Sequence, residues 1–405
     1  MADNNNKHAA RFILLTIFLD ALGFGLVVPV VPHLVAELSG GDTAAASAAF
    51  GVMQAAYAGA TFICAPLLGR LSDRFGRRPV LLLAMAGATV DHLVAAVAGS
   101  VGLLMAARFL AGVCGASSAA ASAYVADTAS PENRGRAFAI AGTVFGIGFV
   151  SGPALGGFLG EFGPRVPFYV AAALTGLNVL YGLLVLPESL PADRRRALDL
   201  GALNPLGGIL SWWRHPLIGG LMAVVFLFML AHSGIQASWV LFTDVQLGWG
   251  PREVGISLGV LGVIAIIAQA GTAPLLIRRL GAGRALLLGI SGMCLFCFAL
   301  AFAVAGWQVY AALSLLLVAM AAGPASQALV ANAVEVNEQG LLQGTISGVT
   351  GLAATFGPLV GAWTFAHFIG PAAPVHFPGA AFFLAGVLGL IGLGLAARAV
   401  RRSIA

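Results

Sequence analysis

Long apolar runs separated by short polar connections make up almost the whole chain. Each run reaches about 20 residues, the length that a helix needs to cross the hydrocarbon core of a bilayer. The pattern therefore predicts membrane-spanning helices in series. Twelve such runs are present, at roughly 12–36, 48–69, 79–98, 101–126, 137–159, 166–186, 216–243, 253–277, 285–305, 308–332, 343–368 and 378–397.

The composition supports a membrane location. Of the 405 residues, 59% are apolar and only 9% are charged, whereas a soluble domain has about 25% charged residues. So few charges cannot cover a water-facing surface, and so high an apolar content excludes intrinsic disorder. The predicted fold is an all-α membrane protein with twelve transmembrane helices.

The longest polar connection follows the sixth run and divides the chain in two. It contains Pro187, Pro191 and a run of arginines, a composition typical of a loop. We expect an N-terminal six-helix bundle at 1–186, a cytoplasmic central loop at 187–215 and a C-terminal six-helix bundle at 216–405.

An internal repeat supports the division into two bundles. Arg74-Phe75-Gly76 recurs as Arg279-Leu280-Gly281, and Gly152-Pro153 recurs as Gly357-Pro358, in both cases 205 positions later. Parallel repeats of six spans are typical of transporters that bind their substrate at the repeat interface, near the bilayer midplane.

Basic residues lie almost entirely on one side of the predicted membrane. Among the Lys and Arg residues outside the spans, only Arg165 and Arg252 fall in odd-numbered connections, and the others fall at the termini or in even-numbered connections. The positive-inside rule places both termini of this multi-pass chain in the cytoplasm. This topology also explains the net charge of +5, so we expect no nucleic-acid partner.

Three charged residues, Asp20, Asp91 and Arg108, lie inside predicted spans. Each would cost roughly 2.5–3.5 kcal/mol if isolated at a span centre, so we expect them to face a wet cavity or one another. At a rise of about 1.5 Å per residue, Asp91 lies ~18 Å and Arg108 ~20 Å from the cytoplasmic face, which allows them to pair. They are the predicted proton-coupling residues; the alternative is a permanent structural ion pair.

Uncharged polar residues and histidines inside the spans are candidates for binding a substrate. Each either lines a cavity or bridges two helices, and the sequence leaves both roles open. The candidates are Gln54, Thr61, His92, Asn178, His232, Gln236, Gln269 and Gln327.

An acidic residue, Asp73, stands among four arginines in the connection after the second span. Membrane topology accounts for the arginines but not for Asp73, which we expect to pair with an arginine or to cap a helix end. Such ion pairs on the cytoplasmic face would hold one state of a rocking carrier. The residues of this predicted conformational gate are Gly69, Asp73, Arg74, Gly76, Arg77, Arg78, Asp127 and Arg134.

The fifth span contains a motif composed of Gly148, Gly152, Pro153, Gly156 and Gly157. Small residues at i and i+4 let helices approach closely, and a proline can bend a span. Ordinary tight packing explains the glycines but not the whole string. The motif resembles that of the drug/proton antiporters of the major facilitator superfamily, and the connection around Asp73 resembles that superfamily's signature, G-x-L-x-D-R-x-G-R-R.

Over nearly the whole chain the resemblance is to the tetracycline/proton antiporters of Gram-negative bacteria. It implies that Asp20, Asp91 and Arg108 are membrane charges needed for exchange, and that Asp73 is an acid needed for conformational change. Among the strings that support this resemblance are Leu19-Asp20-Ala21, Cys64-Ala65-Pro66, Pro187-Glu188-Ser189, Asn204-Pro205 and Gly323-Pro324.

The chain departs from that family at positions expected to line the cavity. Gly292 stands where the family has an aspartate in the ninth span, and Thr61 and Ser233 stand where it has glutamines. His92 replaces a preferred tyrosine. These changes leave the identity of the substrate open.

Together with the resemblance, these features predict a secondary active transporter of the bacterial inner membrane and not an enzyme. It would export an amphipathic drug, either tetracycline-like or one of several drugs, in exchange for protons by alternating access. The alternative is a proton-coupled metabolite carrier, either a symporter or an exporter, on the same fold. ATP is excluded because a P-loop needs a lysine beside Ser or Thr, and the one lysine, Lys7, precedes the first span. We expect no cofactor and no metal site, although a tetracycline-like substrate would bring a divalent cation with it.

Overall fold

The computed structural model describes residues 2–115, 118–130, 132–195, 216–331 and 339–404. All regular secondary structure in these ranges is helical, and none of them contains a β-strand. Helices satisfy backbone N–H and C=O groups within their own segment, which a bilayer core without water demands.

The helices of the first half follow the predicted order of spans. Their bounds are α1 Ala2–Val27, α2 Val31–Leu38, α3 Thr43–Phe75, α4 Arg77–Val97, α5 Val101–Gly115, α6 Ser118–Thr128, α7 Arg134–Gly160 and α8 Val166–Val185, followed by a short 3-10 turn at Ala192–Arg194.

The second half repeats this arrangement with more interruptions. Its helices are α9 Pro216–Leu247, α10 Pro251–Ile267, a π-helical turn Ala268–Thr272, α11 Ala273–Ala301, α12 Gly306–Leu313, α13 Leu316–Ala319, α14 Ala322–Ala331, α15 Gln339–Ile369 and α16 Ala380–Ile404. Asn204-Pro205 and most of the central loop lie outside the described residues.

Ten helical segments in the described chain are long and apolar enough to cross a membrane, or eleven when a bent pair is counted as one span. One of the ten, Pro251–Ala301, has 51 residues, which corresponds to about 75 Å of helix, more than twice the bilayer core. It is broken by the non-helical backbone of Gly281. The predicted number of twelve is reached when the bent pair is counted as one span and this segment is counted as two.

The first span is bent, not continuous as its apolar run suggests. Residues Phe12–Val27 and Val31–Leu38 meet at an angle of 43°. Pro32 occupies the first turn of α2, where a missing N–H is tolerated, but the same proline cannot continue α1. The break therefore follows from the prolines near the end of the run.

The connection after the second span is also shorter than the sequence indicates. α3 continues to Phe75 and α4 begins at Arg77, so most of the predicted loop is helical. The turn is made by Gly76 alone, with φ +105°, a backbone conformation that a glycine adopts without a Cβ penalty. Its repeat partner Gly281 also has positive φ, +77°.

The predicted tenth span is divided into the three short helices α12, α13 and α14. The backbone between the first two follows i to i+3 hydrogen bonds, such as Leu317 N–H to the Ser314 carbonyl. Pro324 lies in the first turn of α14 and lacks the N–H that a continuous helix would use. The side chain of Thr272 donates to the Leu317 carbonyl at 2.5 Å.

The chain forms two compact units. Unit 1 comprises Met1–Gly40, Ala56–Leu203 and Gly250–Gly259, and unit 2 comprises Gly41–Ala55, Asn204–Trp249 and Val260–Ala405. Each has its own apolar core: Phe12, Leu81 and Tyr124 are fully buried in unit 1, and Ile218, Leu286 and Ala325 in unit 2.

Candidate functional site

Unit 1 contains a cavity of about 550 Å³. Its walls come from the first six predicted spans, and most of the lining is apolar. Its lining includes two carboxyl groups, an imidazole and a guanidinium, those of Asp20, Asp91, His92 and Arg108. A largely apolar pocket with a few convergent polar groups is typical of a small-molecule site.

Asp91 and Arg108 form a buried ion pair across α4 and α5. The Arg108 Nη2 donates directly to Asp91 Oδ2, and the two residues are only 1% and 5% exposed. The pair is incompletely satisfied, because Asp91 Oδ1 and Arg108 Nε are buried without a hydrogen-bond partner in the described structure. An ion pair with spare donor and acceptor capacity can exchange partners at low cost.

An aromatic ring and an imidazole lie beside this pair. Arg108 lies over the ring of Phe168, with its guanidinium carbon 5.6 Å from the ring centroid. His92 Nε2 is 4.0 Å from Asp91 Oδ2, and His92 Nδ1 is buried with no hydrogen-bond partner among the described residues. Arg108 therefore contacts an aromatic face as well as Asp91, and a ring nitrogen of His92 is left unsatisfied beside the pair.

Asp20 differs from Asp91 in having no partner. It faces the same cavity from α1, and its side chain is exposed there. Within the described residues it makes neither an ion pair nor a hydrogen bond. When ionised, Asp20 thus gives the cavity one uncompensated negative charge, because Asp91 and Arg108 neutralise each other.

A row of aromatic rings forms one wall of the cavity and was not predicted from the sequence. Tyr57, Phe24, Phe149 and Phe145 follow one another with ring centroids 5.9, 6.2 and 6.0 Å apart. Phe145 and Phe149 are one helical turn apart, which is the available sequence signal, but such spacing is also common in lipid-facing helices. We call these four residues the aromatic row.

Of the predicted polar substrate contacts in unit 1, only His92 lines the cavity. Thr61 donates to the carbonyls of Tyr57 and Gly112 at 3.0 and 2.9 Å, and therefore joins the second and fourth spans. Asn178 donates to the Thr16 hydroxyl at 3.2 Å and is buried between the first and sixth spans. Both residues bridge helices in this structure.

The remaining candidates belong to unit 2. His232 and Gln236 are within hydrogen-bond distance on α9, at 3.1 Å. Gln327 lines a small cavity of about 60 Å³, and Gln269 is exposed on the π-helical turn. Gln54, on the part of α3 that clusters with unit 2, does not line the cavity of unit 1.

The predicted conformational gate is organised around Arg77. Its guanidinium bonds Asp73 at 2.5 Å, Asp127 at 3.2 Å and the Ser72 hydroxyl at 2.6 Å. Arg77 is 9% exposed, so these charge-assisted bonds are partly shielded from water. They tie the end of α3 and the start of α4 to the end of α6.

The other gate residues contribute in different ways. Arg78 donates to the Leu183 carbonyl at 2.8 Å, and Arg74 lies over the Phe75 ring. Gly69 offers its carbonyl to Ser72 at 3.0 Å. Arg134 is exposed and makes no ion pair within the described residues, so no contact links it to the other predicted gate residues.

The glycine motif of α7 is a packing surface. A Cβ on Gly148, Gly152 or Gly156 would fall within about 3 Å of α1 backbone atoms, so α7 and α1 meet backbone to backbone. Gly157 faces the other way, towards Pro251 and Gly255 at the start of α10. Close approach of this kind is what small residues at helix interfaces permit.

Comparison with known proteins places these features in a family. The family model of the Major Facilitator Superfamily matches residues 13–325. The chain is 39% identical to the Escherichia coli tetracycline resistance protein, class C, over 88% of this chain and 89% of the relative. It is 28% identical to multidrug resistance protein 2 of Bacillus subtilis, over 98% and 96% of the two chains.

A solved structure agrees at the level of the fold. A bacterial homologue of the human lysosomal transporter Spinster superposes with a TM-score of 0.78, at 15% identity, over 98% of this chain and 97% of that chain. The match to the family model and the curated relatives extends over most of the sequence, as does the likeness of fold. The chain therefore belongs to the major facilitator superfamily and is a multi-pass transporter of the bacterial inner membrane.

Proposed function

We propose that this transporter exports an amphipathic, tetracycline-like or multidrug substrate in exchange for protons. The observation that carries the proposal is the composition of the unit 1 cavity: an unpartnered carboxylate, Asp20, faces the same space as the buried Asp91–Arg108 pair. A bilayer makes such charges costly, and they characteristically mark proton and substrate pathways.

The chain's own groups supply a simple exchange. When Asp91 takes up a proton, its attraction to Arg108 falls and the guanidinium is free to bond another acceptor. When Asp91 is ionised, the pair reforms. A cationic substrate at Asp20 and a proton at Asp91 each add one positive charge to the same cavity. Binding of one therefore disfavours binding of the other.

The cavity wall favours a rigid, amphipathic substrate. Flat rings of the aromatic row offer a large apolar surface with defined stacking geometry, and Asp20 offers a single anionic anchor. The relatives named tetracycline resistance protein support a tetracycline-like molecule, which would be carried as a complex with a divalent cation. Multidrug resistance protein 2 supports a broader range.

The gate around Arg77 would act on the cytoplasmic face by holding one state of the alternating-access cycle. Its ion pairs are made by residues of α3, α4 and α6 within unit 1, so they rearrange only when these helices move relative to one another. The inward proton gradient drives such a cycle without a nucleotide, and each net charge that moves inward gains about 2.3 kcal/mol per 100 mV of membrane potential.

A resistance profile tests the substrate class. A pump-deficient host that expresses this chain should tolerate more tetracycline than the same host with an empty vector, and everted vesicles should take up tetracycline only when Mg²⁺ is present. Uptake that is unchanged by chelating Mg²⁺ would remove the divalent complex from the proposal. Proton movement in the same direction as the substrate would instead indicate the symporter alternative.

A further inference from the structure

The start of the central connection is bound to the first turn of α4 through Glu188. Its carboxylate accepts the backbone N–H of Arg77 at 2.8 Å and that of Arg78 at 3.3 Å. The first N–H groups of a helix have no partner within the helix and need a cap, and the residue at the cap position, Gly76, has no side chain to provide one. Glu188, more than a hundred positions away, caps α4 instead.

Gly76 provides the space in which this carboxylate sits. A Cβ at position 76 would lie 2.8 Å from Glu188 Cδ and 3.1 Å from a guanidinium nitrogen of Arg195. The glycine is therefore required twice, once for its φ of +105° and once for the absence of a side chain where Glu188 binds.

Further bonds hold the same segment in place. The Tyr124 hydroxyl donates to the Pro187 carbonyl at 3.0 Å, and the Ser189 hydroxyl lies 3.4 Å from Asp127 Oδ2. The end of α6 and the end of α8 thus meet the start of α4 at one place on the cytoplasmic face.

The internal repeat shows that this arrangement is not needed for the turn itself. Gly281, the repeat partner of Gly76, has a similar positive φ of +77° but open space where its Cβ would be. The position 205 residues after Glu188 is Leu393, which has no carboxylate. The anchor, which consists of the bonds from Glu188 to the first turn of α4, is therefore an addition to the first half alone.

We propose that Glu188 is a positioning residue of the transport cycle, which anchors the central connection on α4 and holds Arg77 in place for its ion pairs with Asp73 and Asp127. The same residue, Arg77, has its N–H bound by Glu188 and its guanidinium bound by the gate acids. Loss of the anchor frees the backbone of Arg77 at the start of α4, and with it the guanidinium of the gate. The proposed substrate cavity lies deeper in unit 1.

Transport kinetics in everted vesicles give the first test, with tetracycline–Mg²⁺ as the probe. Glu188→Ala removes the acceptor and should lower the maximal rate about fivefold, the factor that corresponds to losing one helix cap, with little change in the half-saturation concentration. Glu188→Asp keeps the charge and should retain an intermediate rate. The matched control is Glu161→Ala, which changes an exposed acid just beyond the far end of α7 from the gate and should behave like the parent.

The two repeat-related glycines give the second test. Gly281→Ala measures the cost of positive φ alone, and Gly76→Ala adds a collision with Glu188, so Gly76→Ala should have the lower maximal rate. In a Glu188→Ala background this difference should disappear. Equal rates for the two glycine-to-alanine variants in the parent would overturn the proposal, as would a parental rate in Glu188→Ala.

The anchor can also be tested without a transport assay. A negative result in this test is therefore distinguishable from failure of the proposed exchange. Leu190→Cys places a thiol just after Glu188 at a half-buried position. A membrane-impermeant maleimide should label it faster when Glu188→Ala is also present, in folded protein checked by thermal unfolding. An unchanged labelling rate would show that Glu188 does not hold this segment.

Discussion

At the scale of single residues, the proposed exchange rests on the buried pair of Asp91 and Arg108. The sequence predicts their similar depth, and the structure brings them into direct contact. The sequence could not reveal that Asp91 Oδ1 and Arg108 Nε lack hydrogen-bond partners among the described residues, since this depends on how neighbouring helices orient the two side chains. The coupling role of these residues remains a prediction that substitution must test.

Asp91→Asn should abolish proton exchange and destabilise the protein, because it leaves Arg108 buried without a counter-charge. Breaking a buried pair from one side typically costs roughly 3–5 kcal/mol. Thermal unfolding in detergent should therefore show a lower midpoint than in the parent. The double variant Asp91→Asn/Arg108→Gln removes both charges and should recover stability without recovering exchange; recovery of both properties would identify the pair as purely structural.

Asp73→Asn should slow turnover and leave substrate binding almost unchanged. The substitution removes the charge that Arg77 meets at 2.5 Å, but Asp127 remains on the other side of the guanidinium. Initial rates in vesicles and equilibrium binding of tetracycline–Mg²⁺ measure the two properties separately. A parental rate in this variant would leave the gate without functional support.

At the scale of helices, periodicity and length predict the spans but not their interruptions. The run at 12–36 gives no measure of a 43° bend, and a polar string rich in arginine reads as a loop although α3 is helical to Phe75. Single residues decide both cases: a proline stops one helix, and Gly76 alone makes the turn. Glu188 was recognisable only as part of a family string, because its partners on α4 are distant in sequence.

The glycine face of α7 makes a clear prediction about packing. Gly156→Ala would place a Cβ 2.8 Å from the Cα of Leu26 on α1, where backbone cannot yield as a flexible side chain can. Overpacking of this kind costs about 1–3 kcal/mol, so the unfolding temperature should fall. The control on the same helix is Gly146→Ala, which meets nothing within 4 Å; equal stability of the two variants would contradict backbone-to-backbone packing.

At the scale of the whole molecule, the repeat is preserved in the backbone and lost in the chemistry. Gly76 and Gly281 keep positive φ at equivalent positions, yet Asp91 and Arg108 have only apolar equivalents, Phe296 and Leu313, in the second half. Unit 1 holds a cavity of about 550 Å³ with charged lining, and the cavity described in unit 2 is about 60 Å³. The sequence predicts the chemical asymmetry, because residues 205 positions after Asp91 and Arg108 are apolar. The cavity volumes and the aromatic row depend on packing and could not be predicted.

Substrate-induced proton movement in everted vesicles tests the central claim most directly. Respiration acidifies the vesicle interior, and addition of tetracycline–Mg²⁺ outside should drive protons out as the substrate enters, so that the interior becomes less acidic. Vesicles that contain Asp91→Asn at equal abundance should show no such change. A parental response in that variant, or a wild-type chain that takes up substrate without moving protons outward, would contradict the account.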